Sequence, residues 1–406
     1  MKVLIASYLL DPRLGGGAVT AAVRVCRSLA ERGVEVIGVT THDDARPTVT
    51  MEEGMKVYRF RPRNLYWVAD KDRQPDAKKI AWQLIDLWNP HVYRTLRGII
   101  RQERPDVVHV HKLRGLSPAV WSAAAAEGCR PIVQTCHDYE LVSPEGSLES
   151  RVGEMALARH WSLRPYQGVR ARLSNRVDVV TTPSCYTLNT ITELGFFGRA
   201  RRLVVPNSHG FRTEELARLG AEQLGEPHLP GKLRLLYLGR LETIKGIDVL
   251  CEAFAGIAGA YPQVRLDVAG SGAREASLRE QYSGLPSIRF HGHVMGAEKE
   301  KLIAAADVLV MPSVVREVFG ISIVEAYAYG KPVIASRIGG MPELVREGET
   351  GLLVEPGDVA ALQNSIRRMA DEPDLAMSMA PICRQTAQAY TMEAVTDGYL
   401  AAYKAA

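Results

Sequence analysis

Short apolar segments alternate with amphipathic helical segments along this chain, and the alternation begins a second time near residue 233. In the first half, strands are predicted at 2–7, 34–40, 106–111, 131–136, 177–182 and 202–205. In the second half, strands at 233–238 and 264–269 are followed by short elements at 288–290, 298–305, 307–311, 321–329, 332–335, 341–346 and 351–354. Strands that alternate with helices form parallel sheets covered by helices, so the pattern predicts an α/β fold. A chain of 406 residues is too long for one ordinary hydrophobic core, and the repeated alternation indicates two doubly wound, Rossmann-like domains.

A stretch rich in proline, glycine and polar residues, 206–232, separates the two alternating regions and predicts a linker. We therefore expect an N-terminal domain over 1–205 and a C-terminal domain over 206–383. The last segment, 384–406, is helical and lies beyond the last strand, and we expect it to cross back onto the N-terminal domain. Ligands of doubly wound sheets bind beyond the carboxyl ends of the strands, so a deep cleft between the two domains is the expected binding site.

The composition is that of a soluble globular protein, with 46% apolar and 24% charged residues and no apolar run long enough to cross a bilayer. The first residues begin as a signal peptide does, but the apolar run is too short. It is interpreted as a buried strand, and the expected location is cytoplasmic. The six cysteines show no C-x-x-C or metal-ligand spacing, which predicts reduced and mostly buried thiols.

The net charge of +4 is unevenly distributed along the chain. Residues 1–205 carry 30 Lys and Arg against 21 Asp and Glu, a net +9, whereas 206–406 carry 20 against 25, a net −5. The basic half also contains Trp82 and Trp88 in an arginine-rich segment, 58–104. Two interpretations follow: peripheral contact with the anionic inner face of a membrane, or tryptophans that belong to the core. No compact polybasic run occurs, and no nucleic-acid partner is expected.

Two glutamates, Glu317 and Glu325, stand on either side of a predicted strand-to-helix turn. The residues that start the helix are Phe319, Gly320, Ile321 and Ser322. The free N–H groups and the dipole of a helix start attract anions, and a glycine lets a phosphate approach the backbone closely. The pattern predicts a phosphate site between two carboxylates that can accept hydrogen bonds from hydroxyl-rich groups.

Two cations follow the strand 233–238, in the segment Gly239-Arg240-Leu241-Glu242-Thr243-Ile244-Lys245-Gly246. Arginine offers a fork of donors to phosphate oxygens and lysine a point charge, and together they are suited to a diphosphate. The order of residues differs from that of a P-loop.

The first half offers weaker candidates. Gly15-Gly16-Gly17 lies between the first strand and the first helix, and the pattern is not the G-x-G-x-x-G of a nicotinamide site. His137 follows the strand 131–136, and Asp138 is a candidate to orient its ring. His109 and His111 share one side of a strand without an evident third ligand, so no metal is expected.

Taken together, these motifs resemble the large family-four retaining glycosyltransferases, which have the GT-B fold. The order and spacing of 239–246 and 317–326 match over most of the second half, and 338–343 and 351–354 resemble later signatures. The first half is similar more loosely, through its glycine loop and His137-Asp138-Tyr139. Pro206-Asn207-Ser208-His209 departs from the Pro-Asn-Gly often found there, so no role is carried over to Asn207.

The resemblance implies roles for particular residues. The catalytic residues would be His137, Arg240, Lys245 and Glu317. The donor-binding residues would be Gly16, Gly17, Gly239, Gly270, Gly272, His293, Val294, Phe319, Gly320, Ile321, Ser322 and Glu325. Arg240 and Lys245 would neutralise the leaving diphosphate, while Glu325 would hold the ribose hydroxyls. Glu317 would contact the sugar, and neither a metal nor a cofactor is implied.

The expected reaction moves a sugar from a nucleoside diphosphate to an acceptor hydroxyl, with retention by front-face attack. The acceptor is a glycan, a lipid-linked sugar or a small molecule on the N-terminal domain, and the segment 141–172 is a candidate lid over it. Two alternatives remain open: a nucleotide-sugar epimerase on the same scaffold, and a non-catalytic nucleotide-sugar-binding protein.

Overall fold

The computed structural model describes residues 1–11, 15–144, 146, 148, 163–221 and 232–405. Within these ranges the chain forms two compact units, each built on a sheet of mostly parallel strands. The first unit contains the chain up to Asn207 together with its end from Val395 onward, and the second runs from Ser208 to Ala394. The predicted α/β fold with two Rossmann-like halves is confirmed.

The sheet of the first unit has the strand order β3-β4-β2-β1-β5-β6-β7-β8. Its strands are β1 (Lys2–Ala6), β2 (Glu35–Thr41), β3 (Thr48–Glu52), β4 (Met55–Phe60), β5 (Val107–Val110), β6 (Ile132–Thr135), β7 (Val179–Thr182) and β8 (Arg201–Val204). The helices of this part are α1 (Gly17–Glu31), α2 (Asp76–Asp86), α3 (Pro90–Glu103), α4 (Ala119–Ala126), α5 (Arg164–Ser174) and α6 (Cys185–Glu193). The edge strand β3 is antiparallel to β4, and the other neighbouring strands pair in parallel.

The sheet of the second unit has the strand order β11-β10-β9-β12-β13-β14, with all pairs parallel. Its strands are β9 (Leu233–Leu238), β10 (Val264–Ala269), β11 (Ile288–Gly292), β12 (Val308–Met311), β13 (Val333–Ser336) and β14 (Gly351–Val354). The helices of the second half are α7 (Thr213–Ala221), α8 (Ile247–Ala258), α9 (Glu275–Gln281), α10 (Gly296–Ala305), α11 (Ile321–Ala328), α12 (Val359–Asp371), α13 (Pro373–Ala387) and α14 (Met392–Lys404). Short 3-10 turns cover Val68–Arg73, Thr243–Lys245, Met341–Glu343 and Gln388–Tyr390.

The apolar strands lie in the cores because helices cover both faces of a parallel sheet. Leu235, Val268 and Val308 are fully buried in the second core, and Val3, Ile5 and Val179 in the first. Burial on both faces explains why β1 and β12 are nearly continuous apolar runs, whereas β10 alternates buried apolar residues with more exposed charged ones.

The chain returns to the first unit later than the sequence suggests. Cys383 and Ala387 of α13 are buried in the core of the second unit, so residues from 384 do not all cross. The crossing begins at Val395 within α14, where Tyr399 and Ala402 pack into the core of the first unit.

Parts of two predicted segments form helices. In the predicted linker, α7 occupies Thr213–Ala221, and 222–231 lie outside the described residues. In the predicted lid, α5 begins at Arg164, whereas 145, 147 and 149–162 lie outside the described residues.

The two tryptophans of the arginine-rich segment have different surroundings. Trp82 is 2% exposed and donates its indole N–H to the carbonyl of Tyr66. Trp88 is 39% exposed, so the core interpretation is correct for Trp82 and wrong for Trp88.

Candidate active site

The loops at the carboxyl ends of β9, β10 and β12 are joined by backbone hydrogen bonds in the second unit. Leu241 N donates to Ser271 O at 2.9 Å, which ties the loop after β9 to the loop after β10. Val314 N donates to Ile244 O at 3.1 Å, which ties it to the loop after β12. Parallel strands of such a sheet place their functional loops at this edge, and here three of them form one connected surface.

Glycines allow these loops to cross closely. A Cβ atom at Gly246 would lie 1.8 Å from the carbonyl oxygen of Pro312. Gly270 has φ +146, and a Cβ there would lie 1.8 Å from the carbonyl oxygen of Gly239. A Cβ at Gly272 would likewise lie 2.5 Å from the Leu241 oxygen. Any larger residue at these positions would force the loops apart.

Lys245 and Glu317 form an ion pair at the centre of this surface. The Lys245 Nζ donates to Glu317 Oε1 at 2.7 Å, and the buried Ser313 hydroxyl donates to the same oxygen at 2.7 Å. Burial alone would raise the pKa of the Glu317 carboxyl, but Lys245, the Ser313 hydroxyl and the charge of Arg240 together hold that pKa below its ordinary value. Glu317 is therefore ionised at neutral pH.

Arg240 lies close enough to act on Glu317 electrostatically, and its side chain is 62% exposed. Its guanidinium donates to Glu242 at 2.6 Å. The two cations of the loop after β9 thus converge near one carboxylate, as the sequence predicts, with Arg240 on the solvent side.

The start of α11 lies against the same loop. The Ser322 hydroxyl donates to the carbonyl of Leu238, the residue before Gly239, at 3.2 Å. Gly320 precedes the helix with φ +135, and no side chain of the described residues caps this helix start. Phe319 is buried against Tyr390 at a ring distance of 5.9 Å. The start of α11 can therefore bind a ligand through its backbone N–H groups and the positive end of the helix dipole.

Glu325 lies one turn into α11 and is nearly buried. Lys299 of α10 donates to its Oε1 at 2.9 Å. Sequence reasoning missed Lys299 because no motif marks it, and it also missed Ser313.

His291 lies near the end of β11, and His293, assigned above to the donor site, lies in the loop that follows this strand. His291 Nε2 lies 2.6 Å from Asp267 Oδ1, so its ring has a structural partner. The His293 side chain is exposed, and Val294 is buried.

In the first unit, His137 is paired with another histidine. His111 Nδ1 lies 2.8 Å from His137 Nε2, and the two rings stack with centroids 5.1 Å apart. Burial, with the nearby Lys112 charge, lowers the pKa of His137 to about 4, and burial together with the neighbouring rings lowers the pKa of His111 well below its ordinary value. Both rings are therefore neutral near pH 7.

The prediction that Asp138 orients His137 is wrong. The Asp138 carboxylate instead contacts the buried Lys112 ammonium, which also lies 3.4 Å from Glu140. Burial alone would lower the pKa of Lys112, but the two carboxylates raise it above its ordinary value. A buried ammonium needs such partners, and the ion pair takes up the carboxylate that sequence adjacency had assigned to His137.

The glycine loop of the first unit leads into α1. Gly17 is the first residue of α1 and Gly16 its N-terminal cap, with φ −88 and no side-chain hydrogen bond. Among the residues that the structure describes, and apart from its two chain neighbours, none has an atom within 4 Å of where a Cβ on Gly16 would be.

The described residues contain no group of three or more His, Cys, Asp or Glu side chains placed to bind a metal ion. Over the same residues, every helix is too short or too polar to cross a membrane.

Comparison with known families gives matches over both halves of the chain. The family described as Glycosyltransferase Family 4 matches residues 15–208, and the family described as Glycosyl transferases group 1 matches residues 232–372.

Individual relatives agree with these matches. The chain is 30% identical to a D-inositol 3-phosphate glycosyltransferase of Thermobifida fusca, over 99% of this chain and 92% of the relative. It is 33% identical to a phosphatidyl-myo-inositol mannosyltransferase of Mycobacterium leprae, over 69% of this chain and 68% of that protein. Among solved structures, Anabaena HepE in complex with UDP superposes with a TM-score of 0.71 and 21% identity over 100% of both chains, which shows a shared GT-B fold.

Proposed function

The chain is a glycosyltransferase, a member of glycosyltransferase family 4, and from that premise we propose that it transfers a sugar from a nucleoside diphosphate to an acceptor hydroxyl with retention of anomeric configuration. The observation that carries the proposal is the convergence of Lys245, Arg240 and the start of α11 on one edge of the second sheet. Two cations and a helix N-terminus form a site complementary to a diphosphate.

The nature of the donor is supported by a structural neighbour. HepE of Anabaena has been crystallised with UDP and with UDP-glucose, and it has the same fold. We therefore assign the diphosphate to Arg240, Lys245 and the backbone of residues 319–322, with the glycines at 239, 270 and 272 passing close to the nucleotide and the backbone of His293 and Val294 near the base.

The carboxylates of Glu317 and Glu325 have different roles in this proposal. Glu317 is ionised and accepts hydrogen bonds from hydroxyls of the donor sugar. Glu325 accepts hydrogen bonds from the ribose hydroxyls. Lys245 contacts Glu317, so a bound donor would place its ammonium between this carboxylate and the leaving phosphate.

The chemical step needs neither a metal nor a cofactor in this proposal. The bond between the anomeric carbon and the diphosphate oxygen breaks, and the charge that develops on that oxygen is stabilised by Lys245, Arg240 and the α11 N–H groups. The acceptor oxygen bonds to the same face of the anomeric carbon, and its proton moves to an oxygen of the leaving diphosphate.

We assign the acceptor to the first unit, where His137 and the glycine loop at Gly16 and Gly17 lie. The two relatives named above act on inositol phosphate and phosphatidyl-inositol by their names, which supports a hydroxyl-rich acceptor, a small molecule or the headgroup of a lipid. Contact with an anionic membrane surface is part of this proposal, and the exposed Ile80, Leu84 and Trp88, on or just after α2, are the apolar residues available for it.

A ligand screen tests the donor assignment. Thermal unfolding is followed with UDP-, GDP- and ADP-sugars, and the matching donor is expected to raise the unfolding temperature because it binds only the folded chain. The best donor is then incubated without an acceptor, where slow hydrolysis at most is expected. Release of an epimerised nucleotide sugar would contradict the proposal and favour an epimerase.

Replacement of Lys245 tests the catalytic assignment. Lys245→Ala is expected to lower kcat about a hundredfold or more, because one preorganised charge on the leaving group is lost. Lys301→Ala, at an exposed lysine of α10, is the matched control and should leave kcat unchanged. Equal activity of the Lys245→Ala variant and the control would overturn the assignment.

A further inference from the structure

Lys299 and Glu325 connect two helices of the second unit. Lys299 lies in α10 and Glu325 in α11, and the Lys299 Nζ donates to Glu325 Oε1 at 2.9 Å. The Glu325 side chain is 7% exposed and the Lys299 side chain 29%. The pair joins residues that are 26 positions apart in sequence, so it depends on the tertiary fold.

A carboxylate this deeply buried is costly unless it is paired. An ammonium beside a carboxylate favours the charged form, which accepts hydrogen bonds, and this contact restricts the rotation of the Glu325 carboxyl group. Charge-assisted hydrogen bonds are stronger than neutral ones, so a carboxylate that stays ionised binds hydroxyl groups more tightly than a protonated one.

Lys299 also lies close in sequence to the loop that is assigned to the nucleotide base. Helix α10 begins at Gly296, directly after the loop that carries His293 and Val294. Lys299 is in the first turn of that helix, so one side chain connects the loop assigned to the base with the carboxylate assigned to the ribose.

We propose that Lys299 is a positioning residue for ribose recognition: by holding the Glu325 carboxylate ionised and in one orientation, it makes the site prefer ribonucleotides over nucleotides that lack the ribose hydroxyls. The inference rests on the proposed assignment of Glu325 to the ribose. In this proposal Lys299 acts through its contact with Glu325.

The test compares the binding of two ligands to wild type and to two Lys299 variants by calorimetric titration. The ligands are the nucleoside diphosphate among UDP, GDP and ADP that stabilises the wild type most, and its 2′,3′-dideoxy counterpart. Wild type is expected to bind the ribonucleotide about tenfold more tightly, the difference that one or two hydrogen bonds to a charged group supply. Lys299→Met should weaken ribonucleotide binding about fivefold and leave dideoxynucleotide binding unchanged, and Lys299→Arg should retain the preference.

Two controls separate this role from a structural one. Lys301→Met removes an exposed lysine from the same helix and should bind both ligands as wild type does. Lys299→Gln is neutral but keeps a hydrogen-bond donor. It is used in place of Lys299→Met if the methionine variant is unfolded at the temperature of the assay. An equal loss for both ligands would show a general effect on the site and overturn the inference.

The failure of the inference is distinguishable from the failure of the proposed function. If wild type binds both ligands equally, Glu325 does not hold the ribose and that assignment is wrong. If Glu325→Gln abolishes the preference for the ribonucleotide but Lys299→Met keeps it, Glu325 is correctly assigned and the role of Lys299 is rejected. If none of the three diphosphates stabilises the protein, the donor site itself is overturned.

Discussion

His111 is the residue whose role is most easily overlooked from sequence. Its Nδ1 lies 2.8 Å from His137 Nε2, and both rings are neutral near pH 7, so one ring must donate to the other. The hydrogen bond therefore fixes the orientation of His137 and couples the tautomers of the two rings.

Replacement of His111 tests whether this orientation matters for transfer. His111→Phe is expected to lower kcat about tenfold, which corresponds to the loss of one hydrogen bond of roughly 1.4 kcal/mol. His111→Asn should keep most of the activity because its amide nitrogen occupies nearly the same place as Nδ1. Initial rates at saturating donor measure the effect, with circular dichroism as the check on folding. Similar rates for the two variants would show that the hydrogen bond has no part in transfer.

The partner of His137 could not be predicted from sequence because it depends on strand register. His109 pairs with Val133 and Val110 with Gln134 across β5 and β6, and this register brings the residues after each strand side by side. Sequence adjacency suggested Asp138, which instead contacts Lys112. Lys245 and Glu317 each lie in a recognisable loop and are for that reason predicted from sequence as site residues, but their direct contact was not predictable.

At the scale of an element, a substitution of Gly16 before α1 is expected to affect ligand binding without affecting stability. Gly16→Ala should fold normally, because φ is −88 and, within the described part of the chain, a Cβ would have no atom within 4 Å other than those of the adjoining residues. If the donor or acceptor approaches this backbone, the added methyl group displaces it, and a displacement of about 1 Å costs tenfold to a hundredfold in rate. The measurement is kcat/KM together with the urea midpoint.

Gly270→Ala is the contrasting variant at a loop that crosses another loop. Gly270 has φ +146, and an added Cβ would lie 1.8 Å from the carbonyl oxygen of Gly239. We therefore expect Gly270→Ala to lower the free energy of unfolding by about 2 kcal/mol or more. A Gly16→Ala variant that loses stability as this one does would contradict the assignment of the glycine loop to a ligand.

The hairpin of β3 and β4 is the element that the alternation rule does not predict. Glu53 and Gly54 connect the strands with φ +49 and +79, as expected for a two-residue turn with both φ values positive. The Glu-Gly pair was the available signal, but the expectation of parallel strands separated by helices gave no reason to look for an antiparallel edge. Strands such as β1 and β12 lie close to the predicted positions because burial on both faces makes them continuous apolar runs.

At the scale of the whole molecule, α14 shows what sequence periodicity does not reveal. Its helical character is predictable. The residue at which the chain leaves the second core depends on which side chains pack into the core of each unit. Tyr399 and Tyr403 pack into the core of the first unit, and Thr396 donates to the buried Ser28 hydroxyl at 2.6 Å. The last helix is therefore an integral part of the first unit, and its contacts were not predictable before the core itself was known.

Buried neutral histidines predict how the stability of the first unit depends on pH. Burial lowers the pKa of His109 to about 3 and that of His137 to about 4, whereas histidines of the unfolded chain titrate near 6.5. Below about pH 6.5 the unfolded chain thus binds protons that the folded chain does not. Each histidine removes up to about 1.4 kcal/mol from the free energy of unfolding for every pH unit of decrease. Asp86 opposes this trend, because burial raises its pKa to about 7 and the folded carboxyl takes up a proton first as the pH falls.

His109→Gln isolates the histidine contribution from that of Asp86. His109 Nδ1 lies 2.8 Å from Tyr403 Oη and Nε2 lies 2.7 Å from Thr135 Oγ1, so the variant starts less stable at pH 7.5. Between pH 6.5 and 5, however, its free energy of unfolding should decrease less steeply than that of wild type, by up to about 1.4 kcal/mol per pH unit. Urea midpoints at several pH values measure the slopes. Equal slopes for wild type and His109→Gln would contradict this prediction. They would mean that the folded protein binds a proton at the buried His109 ring as readily as the unfolded chain does.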